Sequence, residues 1–180
     1  MKTAPNLVLV GPMGAGKTVV GSRLAGRLGL DFVDLDTAIA QAADASIAEL
    51  FATEGEAAFR ERERSGLAGV LARPGQLVAT GGGAVLDAGS RQLLQQRGFV
   101  AWLRVDIDAQ LRRLADSQDR PLLQVADRGE RLRRLAAVRD PLYAEVADLV
   151  LDTGDDAPGQ VVATLERLLP AHWRRGDNAA

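Results

Sequence analysis

The chain has 180 residues, 47% of them hydrophobic, and its 22 lysines and arginines against 24 aspartates and glutamates leave a formal net charge of -2. That length suits a single domain with one substantial core, and the near-neutral balance excludes a polyanion-coating or membrane-seeking surface, so neither nucleic acid nor membrane is the expected partner. With no cysteine there is no disulfide, thiolate zinc site or thiol nucleophile, which accords with a reducing cytoplasm, and no apolar run nears the roughly 18 residues of a membrane span.

Leu7-Val8-Leu9-Val10 reads as a first strand, because Gly11, Pro12 and Lys17 cut the run too short for the signal peptide that Met1-Lys2-Thr3 faintly imitates. Gly11-Pro12-Met13-Gly14-Ala15-Gly16-Lys17-Thr18 follows and fits G-x-x-x-x-G-K-[ST] between a strand and a helix. Glycines there let backbone N–H groups turn inward around phosphate oxygens, and the next helix adds its N-terminal partial charge. Gly14, Ala15, Gly16, Lys17, Thr18 and Val19 are thus the expected nucleotide-side residues, with Lys17 on the β- and γ-phosphates and the Thr18 hydroxyl on Mg²⁺. The loop alone leaves open a switch, a motor or phosphoryl transfer to a small molecule.

Val20, Leu24 and Leu28 predict a helix from Lys17 to about Leu28, ended by Gly29. Asp31 to Asp36 reads as a second strand with its acids at the carboxyl end, where ligands bind in open α/β sheets. A helical pattern runs from Thr37 to about Leu71, with a capping box at Ser46-x-x-Glu49 and a break at Gly55. Leu77 to Thr80 is a third strand that ends in Gly81-Gly82-Gly83, and a helix around Arg91 to Gln96 comes next. Phe99 to Val105 is a fourth strand, Asp108 is expected to cap a helix from about Ala109 to Leu114, and the polar segment 117–129 reads as a mobile lid. Leu149-Val150-Leu151 is a fifth strand, and Pro158 opens a last helix to about Leu169. Residues 1–170 are expected to form one domain and 171–180 a loose tail. This alternation predicts an α/β three-layer fold, a parallel sheet with helices on both faces.

A phosphate loop that serves phosphoryl transfer needs an acid for its metal, and the third strand ends in glycines rather than a carboxylate. Asp34 and Asp152 are the candidates, and Asp34 is favoured because it lies one βα unit from the loop. Asp36, two residues on, either serves an acceptor hydroxyl or simply caps the next helix. In and just after the run from Phe51 to Glu63, charges such as Glu61, Arg62 and Arg64 suit a solvated, self-paired helix face. Arg60 suits it less, since it follows the apolar Phe59, and Arg139 either binds an anion or serves a helix C-terminus.

Taken in order, GPMGAGKT, DLD, FATEGEAAFRERE, TGGGAV, DRPLL and VRDPLY resemble the shikimate kinase family, over about Leu7 to Val162. The resemblance implies a nucleoside-monophosphate-kinase-like P-loop fold with a five-stranded parallel sheet and a lid. It also implies a monomeric cytoplasmic enzyme that uses ATP and Mg²⁺ to phosphorylate the 3-hydroxyl of shikimate, on the way to chorismate and the aromatic amino acids. Carried over by position, Lys17, Asp36 and Arg120 become catalytic, and Asp36, Arg60, Gly81, Gly82, Gly83 and Arg139 become shikimate contacts walled by Phe51 and Phe59. Arg120 becomes the lid arginine on the phosphates, Arg113 the basic side chain on adenine, and Thr18 with Asp34 the metal site.

The chain departs from the family pattern at Val19, where a hydroxyl residue often stands, and at 153–158, which lacks a basic residue near adenine. Ser117-Gln118-Asp119 also makes the lid more acidic than expected. The competing readings are another small-molecule P-loop kinase of the gluconate kinase kind, or a nucleotide-dependent switch without an acceptor. Two arginines and an aspartate suited to a small acid favour the shikimate reading over both.

Overall fold

The computed structural model describes residues 1–115 and 127–176. Five parallel strands form the central sheet: β2 (Asn6–Val10), β3 (Asp31–Asp34), β4 (Gln76–Ala79), β5 (Gly98–Arg104) and β6 (Leu149–Asp152), in the spatial order β3-β4-β2-β5-β6. β2 is central and buried on both faces, which is why Leu7 to Val10 reads as an unbroken apolar run. Its side chains alternate between two cores. Leu7 and Leu9 join Leu24, Leu77, Phe99, Leu103 and Leu165 on the face covered by α1 (Lys17–Leu28) and α7 (Pro158–His172). Val8 and Val10 join Leu35, Phe59, Leu67, Trp102 and Tyr143 under α2 (Leu35–Ala43), α3 (Ile47–Leu71), α4 (Ala88–Arg97) and α6 (Arg128–Val146). Parallel order, five strands and helices on both faces are the architecture expected from the sequence.

Local signals set several element ends. Gly29 ends α1 in the left-handed region at φ 62°, and the capping box closes reciprocally between Ser46 and Glu49 at the start of α3. Gly55, at φ 80° and ψ 171°, is non-helical and breaks α3 into two helical segments that meet at a kink, as the sequence led one to expect.

Three expectations differ from the structure. The cap of α5 (Ile107–Arg113) is Asp106, whose side chain accepts from the Ala109 N–H, so Asp108 falls inside the first turn. The strand read as 31–36 stops at Asp34, because the Asp34 carboxylate accepts from the Thr37 N–H and starts α2 there. Of the tail read as loose, the described residues are structured: α7 continues to His172, and β7 (Trp173–Arg175) pairs in parallel with β1 (Lys2–Ala4). The Trp173 indole N–H fixes that pairing by donating to the Ala4 carbonyl at 3.0 Å.

Most of the expected lid, Arg120 included, lies outside the described residues. Its last three positions are not loop: Asp127 caps α6, and Arg128 and Gly129 are already helical.

Candidate active site

The loops that follow β2, β3, β4 and β5 all leave the carboxyl edge of the sheet, the ligand-binding edge of open parallel sheets. After β2 the chain enters the phosphate loop, where Gly14 and Gly16 take φ 78° and 84°, values that only glycine adopts without strain. Gly16 is the N-cap of α1, so the loop discharges onto a helix N-terminus. Lys17 is buried, with its ammonium donating to the carbonyls of Gly11 at 2.7 Å and Pro12 at 2.9 Å. Ala15 packs into the core beneath, whereas Val19 faces outward on α1.

α5 braces the loop from the side. Gln110 donates to the Met13 carbonyl at 2.8 Å, and Arg113 donates to Gly14 at 3.0 Å and to Gly154 at 2.6 Å. Arg113 therefore ties the phosphate loop to the turn after β6.

Thr18 and Asp34 meet beside the loop, the Thr18 hydroxyl donating to the Asp34 carboxylate at 2.6 Å. This is a pair of hard oxygens of the kind Mg²⁺ takes. Asp152 lies on the edge strand β6 and is engaged by the Arg104 guanidinium instead. Among the described residues no group of three His, Cys, Asp or Glu side chains could hold a metal. A cation here would complete its shell with water and phosphate oxygens, the usual habit of Mg²⁺.

The three glycines after β4 organise the rest of the site. None of them has a positive φ, so a tight turn is not why they are glycine. Close approach is. A methyl group on Gly81 would lie 2.6 Å from Asp36 Oδ1, one on Gly82 would lie 3.4 Å from the Arg139 guanidinium, and one on Gly83 would lie 2.7 Å from Arg60 Cζ. The position on Gly82 is also 3.5 Å from the Met13 backbone nitrogen and 3.6 Å from the Gly11 carbonyl oxygen. The triple glycine thus gathers Asp36, Arg60 and Arg139, from α2, α3 and α6, along one segment whose middle residue lies beside the phosphate loop.

Each side chain is held there for a physical reason. Asp36 sits in the first turn of α2 and is not its cap, which settles the alternative role weighed for it. Arg60 lies over both Phe51 and Phe59, 5.6 and 5.4 Å from their ring centroids, while the two rings are 4.3 Å apart. Arg139 is in the interior of α6 and 7% exposed, so it does not serve a helix C-terminus. Burial holds its guanidinium below the ordinary arginine value, and the nearby Arg60 charge adds to that, yet it stays a cation. A carboxylate is the natural partner for two cations held so close.

Sequence reasoning missed Glu63. It is 1% exposed and pairs with Arg60 at 2.5 Å. Burial pushes its carboxyl above the usual range, opposed by the Arg60 charge and reinforced by Asp36. The available signal was the four-residue stripe Phe59, Glu63, Leu67 and Leu71, every member of which is buried. Arg60 Nε and Glu63 Oε1 are buried polar atoms with no hydrogen-bond partner among the described residues.

A phosphate-cradling loop on a parallel sheet, faced by two arginines and an aspartate, defines a P-loop kinase with a small acidic acceptor. A sequence model of the family "Shikimate kinase" matches residues 13–169. The shikimate kinase of Stenotrophomonas maltophilia K279a is 57% identical over 177 residues, covering 98% of each chain. That of Xanthomonas campestris pv. campestris 8004 is 52% identical over the whole of both chains. Among solved structures, the Acinetobacter baumannii shikimate kinase in complex with shikimate superposes with a TM-score of 0.89 at 42% identity, over 93% of this chain and 94% of the other. The chain belongs to the shikimate kinase family.

Proposed function

We propose that this chain transfers the γ-phosphoryl group of ATP to the 3-hydroxyl of shikimate, giving shikimate 3-phosphate and ADP in the biosynthesis of chorismate and the aromatic amino acids. The observation that carries the proposal is the triple glycine, where an added Cβ at each position would meet a different acceptor side chain, and at the middle one would also lie 3.5 Å from the Met13 backbone nitrogen of the phosphate loop. One peptide segment thereby adjoins both the phosphate loop and the acceptor side chains, which serves the close positioning that in-line transfer needs.

The residues divide the work by charge. Phosphoryl transfer asks for positioning and neutralisation more than covalent chemistry. The phosphate-loop N–H groups and Lys17 take the phosphates, and Thr18 with Asp34 are the residues that would hold Mg²⁺, which when bound offsets phosphate charge. Arg60 and Arg139 fork onto the shikimate carboxylate, with Phe51 and Phe59 as the apolar wall. Asp36, beside Gly81, accepts the hydrogen bond of the reacting hydroxyl and orients its oxygen. Arg113 supports the adenine side, and Arg120 is assigned to the phosphates by position in the sequence.

The absence of cysteine suits the cytoplasm, and among the described residues no helix is long and apolar enough to cross a membrane. A coupled ADP-release assay tests the reading. ADP should appear on addition of shikimate and scarcely with gluconate or nucleoside monophosphates, and a reversed preference overturns it.

A further inference from the structure

We propose that Tyr143 is a positioning residue for the acceptor site, because its hydroxyl sets the orientation of the peptide between Gly82 and Gly83. The inference rests on the shikimate kinase reading and adds to it a residue that touches neither substrate.

Tyr143 lies four residues after Arg139 on α6, so the two side chains share one helix face. It is 1% exposed, and its hydroxyl donates to the Gly82 carbonyl at 2.5 Å. Burial pushes the phenol above its ordinary value, against the pull of the Arg139 guanidinium, so the group stays a donor throughout the working pH range.

The neighbouring carbonyls are held by the loop itself. Gly81 accepts from the Ala84 N–H at 3.2 Å, and Gly83 accepts from the Leu86 N–H at 2.9 Å. At Gly82 the hydrogen bond comes from α6 instead. A trans peptide is planar, with its C=O and N–H pointing opposite ways. Anchoring the Gly82 carbonyl on Tyr143 therefore also fixes the direction of the Gly83 N–H, a backbone donor at the acceptor.

The anchor is itself rigid. The Tyr143 ring lies 5.5 Å from the Trp102 ring, which stands on the interior strand β5. Core packing alone would need only the ring, whereas the hydroxyl reaches the one glycine wedged between Arg139 and the phosphate loop.

Tyr143→Phe separates these roles, since it keeps the ring against Trp102 and removes the donor. Val146→Ala, which trims the same buried cluster without reaching Gly82, measures what destabilisation alone does. Steady-state kinetics for both substrates, with urea unfolding, should show the Tyr143→Phe KM for shikimate raised roughly five- to tenfold, the effect of one neutral hydrogen bond. The KM for ATP should stay within about twofold of wild type, and Val146→Ala should leave both unmoved. A shikimate KM unchanged in Tyr143→Phe, a parallel rise in both KM values, an equal effect of Val146→Ala, or a Phe variant that fails to fold would each overturn the positioning role alone. A wild-type chain with no preference for shikimate would instead sink the acceptor reading, and this inference with it.

Discussion

At Gly83 a single methyl group decides whether Arg60 can stay where it is. A Cβ there would lie 2.7 Å from Arg60 Cζ, and one on Gly81 would lie 2.6 Å from Asp36 Oδ1. Both obstacles are the ends of side chains, so the fold can yield while the site cannot. Gly83→Ala should raise the shikimate KM by at least about tenfold, the loss of a charge-assisted contact, with little change in unfolding midpoint. Gly81→Ala should act mainly on kcat, because it displaces the group that orients the reacting hydroxyl. Steady-state kinetics distinguish the two, and identical effects would mean that Asp36 and Arg60 do not divide the acceptor as assigned.

Glu63 offers a pH test. Its folded carboxyl titrates above 4.5, chiefly because it is buried, so above pH 4.5 the native state binds more protons than the unfolded one. The sign follows: this group's contribution to stability is complete below 4.5 and is lost as pH rises through the folded value. Glu63→Gln keeps the shape and removes the titration. Urea unfolding should therefore show wild type gaining on Glu63→Gln as pH falls from 7 towards 5, and a difference that is flat or of opposite slope would contradict the burial-dominated environment. Glu63 also marks the limit of legibility at this scale. Arg60, Asp36 and Arg139 stood out because of the motifs around them, whereas Glu63 sits in a run of alternating charges that locally looks like a solvated face. Only the longer four-residue stripe through Phe59, Leu67 and Leu71, which the packing of α3 buries, shows which side of that run is dry.

At the scale of elements, period and punctuation revealed the strands and helices, and the errors fell at their ends. Two aspartates flank Ile107, and either spacing looks like a cap. The structure selects Asp106, which accepts from Ala109 at 2.8 Å. Asp106→Ala should lower the unfolding free energy by about 1 kcal/mol, and Asp108→Ala by only a few tenths through the helix dipole. The consequence reaches the site, since α5 carries Gln110 and Arg113 to the phosphate-loop carbonyls. A frayed α5 should thus raise the KM for ATP while leaving that for shikimate in place, which urea midpoints and kinetics on the two variants would check. In the same way the second strand was read two residues too long, because Asp34 serves at once as strand end, helix cap and partner of Thr18.

At the scale of the molecule, the sequence conveys the layers but not the pairing of its ends. Trp173-Arg174-Arg175 has one apolar residue and no local partner, so nothing within a window of ordinary length marks it as a strand. Its partner is β1, at the other end of the chain, in the register Lys2 to Trp173 and Ala4 to Arg175. Once paired, the half-buried Trp173 ring lies 6.2 Å from Phe99 and packs against the core formed by α1, α7 and the sheet. The Lys2 ammonium adds a 2.8 Å ion pair to Asp148, whose carboxylate also accepts from the Val100 N–H. These contacts close the amino ends of the strands, whereas the phosphate loop and the acceptor residues occupy their carboxyl ends. Stability and catalysis should therefore separate here. Deleting residues 173–180 removes the indole and its hydrogen bond, and for a half-buried tryptophan the expected cost is about 2 kcal/mol, below the range for full burial. Urea unfolding should register that loss, while kcat and both KM values at 25 °C remain within about twofold of the full chain. A truncated chain that kept its stability would show that β7 does not close the sheet. One that lost shikimate affinity in step with stability would show that the two ends of the strands act as a single unit.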